Sequence, residues 1–362
     1  MKKIIFIHLL NDYSGSPKVL SQVIRYCQDK GFKIELFTGT NSKGFLSSLT
    51  SNHQFYFYKR FDNKYSTLVS FAFSQVILFF KLLKYLNKDV VIYVNTMLPF
   101  GAALAGMIMK KPVYYHVHEN YLSPPSLKYF LRYIIQKTAT KVIFVSAFLK
   151  KQESFEDKEQ HVIPNALTHE FHNASRGNKC KSQKNNSFNV LMISSLKTYK
   201  GINEFVAIAN QLNSNSHISF TLVLNADKAE IDHYFSKITL PINIDLVARQ
   251  KNVIKFYQKS NLVLNLSKID ECIETFGLTI LEAMAFGIPV IVPPVGGPAE
   301  IVTDGVHGFL ISSSKINEIS KKIYELSTNE QKWMELSKNA LKRSKDFSEA
   351  SFNSKIEKIL DA

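Results

Sequence analysis

Short runs of consecutive apolar residues recur along this chain, and each is followed by a segment whose apolar residues fall three or four apart. The runs of the first half are Lys3–Leu10, Lys33–Thr38, Asp89–Val94, Pro112–Val117 and Lys141–Val145. A half-exposed strand would alternate polar and apolar residues, so these runs read as strands buried on both faces. Between them lie Val19–Tyr26, where Val19, Leu20, Val23 and Tyr26 share a helical face, and Val69–Leu86, Gly101–Met109 and Leu127–Thr138. Strands alternating with helices predict an α/β chain whose parallel sheet is covered on both faces. Ligands of such sheets bind beyond the carboxyl ends of the strands. Chemistry is therefore expected in the polar turns after Leu10, Val94, Val117 and Val145.

The pattern breaks at Asn173–Ser187, a stretch with almost nothing apolar, and then restarts. Strands are expected at Asn189–Ile193, Ser219–Leu224, Leu262–Leu266 and Val290–Val292, with helices at Asn203–Leu212, Thr279–Phe286 and Glu318–Leu326. Gln331–Leu360 reads as two amphipathic helices. At ~150 residues per domain, 362 residues make two domains. The expected division is residues 1–172, a polar linker at 173–187, a second α/β domain at 188–342, and a C-terminal helix at 343–362 packing back on the first domain. Two such domains offer one natural site, the cleft between them.

Charge is uneven. Residues 1–170 carry 22 Lys+Arg against 11 Asp+Glu, a net +11, whereas residues 171–362 carry 23 against 19, a net +4. A basic first half suits an anionic partner, either a phosphorylated ligand or an anionic membrane surface met by Lys81, Lys84, Lys88, Lys110 and Lys111 beside apolar helices. Nucleic acid fits poorly, because aromatic residues such as Phe79 and Phe80 sit inside apolar runs and do not alternate with Arg and Gly. Three distant cysteines, Cys27, Cys180 and Cys272, make neither a disulfide framework nor a zinc site, which suits a reducing compartment. No signal pattern follows Met1, and the longest apolar stretch, Ser66–Phe80, is 15 residues, short of the ~20 that span a bilayer. The expectation is a cytoplasmic protein, peripheral at most on the inner face of the plasma membrane.

The segment from Asp270 to Val292 carries the most chemistry. Glu274 and Phe276-Gly277 precede a helix expected to begin near Leu278, Glu282 lies inside it, and Gly287 and Pro289 close it. The unpaired N–H groups at the start of that helix make an anion site. Carboxylates beside it are acceptors for sugar hydroxyls.

The string Glu274-Thr-Phe-Gly-Leu-Thr-Ile-Leu-Glu282-Ala-Met-Ala-Phe-Gly-Ile-Pro-Val-Ile resembles the signature of the retaining glycosyltransferases of family 4, which have the GT-B fold of two Rossmann-like domains facing across a cleft. Further segments come in that family's order: Val142–Ser146, Val162–Asn165, Lys197-Thr-Tyr-Lys200-Gly201, Val295–Glu300 and Phe347-Ser348. The resemblance implies that Glu274 holds hydroxyls of a donor sugar and Glu282 the ribose of its nucleotide. It implies that Lys200 binds the donor diphosphate, aided by the N–H groups of Phe276, Gly277 and Leu278 and the Thr279 hydroxyl. His118 would contact the transferred sugar, and His116, two residues away on the same strand face, competes for that role. The loop Ser14-Gly15-Ser16-Pro17-Lys18 stands where the family has a Gly-Gly loop. There Gly15 would allow close approach to a phosphate, and Ser14, Ser16 and Lys18 would meet the acceptor.

Ser195 stands where the family carries an arginine before the phosphate-binding lysine, and Lys197 and Arg249 are the candidates to replace that charge. There is no Asp-x-Asp and no His/Cys cluster, so neither a metal nor any other cofactor is expected. The implied reaction is transfer of a sugar, retaining its anomeric configuration, from a nucleotide-diphosphate donor (UDP is the first expectation) to a saccharide or lipid-linked acceptor in bacterial cell-surface polysaccharide or lipopolysaccharide synthesis. A non-catalytic nucleotide-sugar or carbohydrate-binding protein of the same fold and a nucleotide-sugar 2-epimerase are the alternatives.

Overall fold

The computed structural model describes residues 3–39, 43–176 and 187–360, and divides into two compact units, Met1–Pro164 with Asn353–Ala362, and Asn165–Phe352. Unit 1 is built on seven strands: β1 (Lys3–Leu10), β2 (Lys33–Gly39), β3 (His53–Tyr56), β4 (Val90–Asn95), β5 (Val113–Val117), β6 (Lys141–Phe144) and β7 (Glu159–Val162). They pair in parallel in the order β3-β2-β1-β4-β5-β6-β7. Its helices are α1 (Gly15–Asp29), α2 (Lys64–Leu82), α3 (Phe100–Ile108), α4 (Pro125–Thr138) and α5 (Ala147–Glu153). Helix α6 (His169–Arg176) opens unit 2.

The strands of unit 2 are β8 (Phe188–Ser194), β9 (Ile218–Leu224), β10 (Ile244–Val247), β11 (Leu262–Leu264), β12 (Val290–Val292) and β13 (Gly308–Leu310). Their order is β10-β9-β8-β11-β12-β13, and again every pair is parallel. Helices α7 (Ile202–Gln211), α8 (Lys228–Phe235), α9 (Ile254–Tyr257), α10 (Leu278–Ala285), α11 (Pro298–Ile301), α12 (Ile316–Thr328) and α13 (Glu330–Ser344) cover this sheet, and α14 (Glu349–Leu360) ends the chain.

In both sheets the order of strand addition reverses beside the first strand, between β1 and β4 and between β8 and β11. Connections leaving neighbouring strands part there to opposite faces, which opens a crevice at the carboxyl ends. The strands that frame it are the apolar runs visible in the sequence, and Ile4–Ile7, Val90–Val94 and Val113–Val117 are buried throughout.

Several boundaries differ from expectation. Asn173–Arg176 belongs to α6 and not to a linker, and Phe171 on that helix packs 6.0 Å from Tyr257 and 6.3 Å from Phe286. Unit 2 therefore begins at Asn165 and not at residue 188. The rest of the expected linker, with Cys180, lies outside the described residues. Residues from Asn353 onward belong to unit 1, where Glu357 pairs with Lys30 at 2.6 Å and the Ile359 carbonyl accepts from Lys141 Nζ at 3.0 Å.

Helix α2 is longer than the apolar run within it. With the 3₁₀ turn at Leu83–Tyr85 it forms a 22-residue segment, Lys64–Tyr85, because it takes in the lysines that bounded the run, and an 18-residue stretch within it has a mean hydropathy of 1.7. By length and composition alone this segment can cross a bilayer. It is fastened to α3, where the Gly101 N–H donates to Gln75 Oε1 at 3.1 Å and a β-carbon at Gly101 would stand 2.1 Å from the Gln75 carbonyl oxygen. Gly101→Ala is expected to cost about 1–3 kcal/mol by forcing the helices apart. Urea unfolding followed by circular dichroism measures it, and an unchanged midpoint would show that this crossing is not tight.

Candidate active site

In unit 2 the site grows from the loops after β8 and β11, the strands that flank the reversal. The chain leaves β8, makes a single 3₁₀ turn at Thr198–Lys200, and enters α7 through Gly201, whose φ of 79° is left-handed. A side chain at Gly201 would also strike the Leu266 carbonyl oxygen at 2.2 Å, so glycine lets this turn lie directly on the loop after β11. The contact is completed by the Lys268 N–H, which donates to the Tyr199 carbonyl at 2.8 Å.

Lys200 Nζ reaches Glu274 Oε2 at 2.6 Å across these two loops. Burial works against the charge on each side chain, and the partner's opposite charge outweighs it. The Lys200 pKa accordingly stands above its ordinary value, and that of Glu274 below, helped by hydrogen bonds from Lys200, Asn265 and the Phe276 N–H. Lys200 Nζ also lies 3.5 Å from the buried Ser267 hydroxyl. Glu274 is held from behind by the Val295–Pro298 loop. The Gly297 N–H donates to its carbonyl at 2.9 Å, and Gly296, at φ 82°, leaves no room for a β-carbon, which would stand 2.4 Å from the same oxygen.

Helix α10 begins at Leu278 after the left-handed Gly277. Its first amides, among them Leu278 and Thr279, have no acceptor within the helix and carry its positive end. The Phe276 N–H serves the Glu274 carboxylate, and its ring packs 6.0 Å from Phe347. Glu282 lies one turn into α10, only 4% exposed, and accepts from the Tyr257 hydroxyl at 2.7 Å. Lys197 is exposed at the start of the 3₁₀ turn. Arg249 is engaged elsewhere, with Nε on Asn225 Oδ1 at 2.8 Å and a terminal nitrogen 4.0 Å from Glu230.

Unit 1 gathers neutral polar groups at the ends of β1, β4 and β5. His118 Nε2 lies 2.9 Å from Asn95 Oδ1, and Asn95 Nδ2 donates to the Ser16 carbonyl at 3.3 Å and lies 3.1 Å from His8 Nδ1, which is also 3.3 Å from the Asn95 carbonyl. The Ser16 carbonyl fixes which way the amide points, so His118 donates from Nε2 and keeps its lone pair on Nδ1. Burial keeps these rings neutral. It lowers His8 to about 4 and His116 to about 3, and holds His118 well below the usual histidine range. His116 is fully buried with Nδ1 on the Tyr93 hydroxyl at 2.9 Å, so of the two histidines only His118 retains exposure. Burial also raises Glu119 to about 7, even though it accepts from the Met97 and His118 N–H groups.

The structure thus brings Lys200, Glu274, Phe276, Gly277, Leu278, Thr279 and Glu282 into one region of unit 2, and His118 and the 14–18 loop to one end of the sheet in unit 1. Gly15 is the first residue of α1 and lies outside the left-handed region. Ser14 is exposed, with its N–H and hydroxyl on Asp12, and Lys18 Nζ sits 5.8 Å from the Phe45 ring. Asn95, Asn265 and Tyr257, which hold three of these residues in place, carry no signal in the sequence. Among the described residues, no group of three or more His, Cys, Asp and Glu is disposed to hold a metal ion.

Two family models match the chain, Glycosyltransferase Family 4 over residues 13–171 and Glycosyl transferases group 1 over residues 177–343. The chain belongs to glycosyltransferase family 4. This family 4 chain superposes on Anabaena HepE, solved in complex with UDP and glucose, with a TM-score of 0.79 and 21% identity over 100% of each chain. Staphylococcus aureus TarM, solved as a mutant with Fondaparinux, alpha-GlcNAc-glycerol and UDP, gives 0.74 at 14% identity, again over 100% of each chain. The lipopolysaccharide outer core galactosyltransferase WaaB gives 0.70 at 15%, over 100% of this chain and 99% of that one. At these identities the likeness is one of fold, GT-B with two Rossmann-like units. In sequence, the chain is 27% identical over 224 residues to an uncharacterized glycosyltransferase of Methanocaldococcus jannaschii, covering 61% of this chain and 59% of the relative. It is 45% identical over 74 residues to a sucrose synthase of Denitrovibrio acetiphilus, 19% of this chain and 9% of that one. The matched part is therefore about a tenth to three-fifths of the length of these relatives.

The carboxyl of Glu119 makes a pH-dependent contribution with a definite sign. Its pKa is raised in the folded chain, so the stability it adds is fully present below about 4.5 and is lost as pH rises through about 7. Glu119→Gln should therefore gain thermal stability relative to wild type as pH goes from about 5 to about 8. Parallel melting curves across that range would refute the burial of this carboxyl.

Proposed function

We propose that this chain transfers a sugar from a nucleotide-diphosphate donor, with UDP as the base, to a saccharide or lipid-linked acceptor in bacterial cell-surface polysaccharide or lipopolysaccharide assembly. The observation that carries this reading is the Lys200–Glu274 pair, set beside the first turn of α10 at the reversal point of a parallel sheet. A cation, a helix start and a carboxylate in one place suit a diphosphate joined to a polyhydroxylated ring. The UDP bound in the HepE and TarM crystals supports the same donor class, and WaaB, a lipopolysaccharide outer core galactosyltransferase, supports the same kind of acceptor.

In this reading Lys200, the Gly277–Thr279 amides and the Thr279 hydroxyl hold the diphosphate. Glu274 accepts from hydroxyls of the sugar, and Glu282, oriented by Tyr257, accepts from the ribose. In unit 1 His118 serves the transferred sugar, and Ser14, Ser16 and Lys18 serve the acceptor. The bond from the anomeric carbon to the diphosphate oxygen breaks and the acceptor oxygen bonds to that carbon from the same face. The acceptor's proton passes to the departing phosphate, so a free nucleoside diphosphate leaves and the configuration is retained. Lys200 and the helix start stabilise the charge that develops on the leaving group, with no metal ion required.

Lys197 is the better replacement for the arginine absent at Ser195, since it is exposed beside Lys200, whereas Arg249 is bound to Asn225. Lys197→Ala is expected to weaken donor binding, and Arg249→Ala to leave it near wild type.

Thermal shifts with UDP, GDP, ADP and CMP, each with magnesium and with EDTA, test the reading. Ligand at ~100 times its dissociation constant stabilises the fold by ~2.7 kcal/mol. A shift with one nucleotide that survives EDTA and shrinks in Glu282→Ala is the expected result. In a transfer assay Lys200→Ala should lose ~10²–10³-fold in rate. A nucleotide shift without transfer to any acceptor would favour a non-catalytic binding protein, and no shift with any nucleotide would overturn the donor assignment itself.

A further inference from the structure

Helix α2 turns a continuous aromatic and aliphatic stripe outward. Tyr65 (81% exposed), Val69 (69%), Phe73 (56%), Val76 (52%) and Phe80 (64%) follow one another at helical spacing, so they lie along one face over about 22 Å. The surface continues across the neighbouring helices. Phe71 packs 5.8 Å from Phe100, which packs 5.1 Å from Phe130 on α4, and Phe130, Tyr129 and Tyr133 are exposed beyond it. Scattered surface hydrophobes are ordinary, but a ridge of this length marks a contact surface.

The charge around the ridge identifies what it meets. Residues 57–137 carry eleven Lys or Arg against three Asp or Glu, and of the eleven Lys84 is paired with Glu35, and Lys128 and Arg132 with Glu153. Lys59, Arg60 and Lys64 precede the stripe, and Lys81 and Lys88 follow it, all exposed. Of the three acids, Glu119 sits at the end of β5, away from this helix. A second copy of the chain would bring two faces of like charge together. A water–lipid boundary with anionic headgroups satisfies both features at once, since rings enter the boundary and lysines reach the phosphates.

We infer that the α2 face of unit 1 docks on the surface of a bilayer containing anionic phospholipid. The helix lies on that surface and does not cross it. It is the connection from β3 to β4 of a single parallel sheet, and its inner face, with Phe71, Ser74, Gln75 and Leu78 buried, is committed to α3, where Phe71 packs on Phe100 and the Gly101 N–H donates to Gln75 Oε1. Removing it to span a membrane would uncover α3 and expose the Gln75–Gly101 crossing.

The experiment is co-sedimentation of the full chain with vesicles of phosphatidylglycerol and phosphatidylcholine, against phosphatidylcholine alone. Wild type should pellet with the anionic vesicles and remain largely in the supernatant with the neutral ones. Phe73→Ser with Phe80→Ser should weaken binding at least about tenfold, and Lys59→Gln with Arg60→Gln and Lys64→Gln should abolish the preference for anionic lipid. The melting temperature of each variant without nucleotide, followed by circular dichroism, reports that the fold is intact. It also keeps this inference separate from the donor assignment, which the vesicle assay does not involve. Wild type that ignores anionic vesicles, or a Phe73/Phe80 variant that pellets like wild type, would overturn it. So would a concentration-dependent dimer in lipid-free buffer that the same aromatic substitutions dissolve.

Discussion

The Lys200–Glu274 pair is the contact on which the geometry of unit 2 depends. Each charge stands in a largely enclosed place where burial works against ionisation, and the opposite charge of the partner outweighs it. The two residues are 74 positions apart and sit on loops from neighbouring strands, so the pair also sets how those loops face one another. Truncating either partner would leave an uncompensated charge, which costs more than the pair contributes when intact. A diphosphate-sugar ligand would not incur that penalty. Phosphate oxygens would take over the ammonium, and sugar hydroxyls would take over the carboxylate, so the pair can separate with neither group left without a partner.

Unit 1 reaches a prearranged site by the opposite electrostatic route. Burial keeps His8, His116 and His118 uncharged, and Asn95 joins two of them through a single amide whose direction is set by the Ser16 carbonyl. A neutral imidazole with one assigned donor and one lone pair can recognise a hydroxyl without attracting an unrelated anion. The first turn of α1 thus orients a ring at the end of β5 through the last residue of β4, which ties the β1–α1 loop to His118 mechanically.

The alternating architecture is legible because strands buried on both faces must be apolar throughout. The elements that escape a sequence reading are those without that signature. β3 is His-Gln-Phe-Tyr, β10 is Ile-Asp-Leu-Val and β13 is only Gly-Phe-Leu, and each is short or at an edge of its sheet. The second half of helix α6 resembles linker because the helix, His-Glu-Phe-His-Asn-Ala-Ser-Arg, has one large apolar residue, yet Phe171 packs against Tyr257 and Phe286. The charged site residues are legible as a contiguous string. Their partners are not, because Asn95 meets His118 and Tyr257 meets Glu282 across 23 and 25 residues, and no local pattern encodes a contact made through sheet order.

The substitution at Ser195 bears on how a donor would be held. An arginine there would present a planar fork of donors that can grip a phosphate through two parallel hydrogen bonds. Lys197 offers the same formal charge as a mobile ammonium on an exposed turn, which supplies attraction without fixing the angle of approach. Orientation would then fall to the rigid parts, the Gly277–Thr279 amides and the carboxylates of Glu274 and Glu282. Those are the positions this chain holds tightly, through Gly296 against the Glu274 carbonyl and Tyr257 on Glu282. With Lys197 supplying the charge and these elements the alignment, a donor would still be both attracted and oriented, and the alignment elements are where the structure is least able to yield.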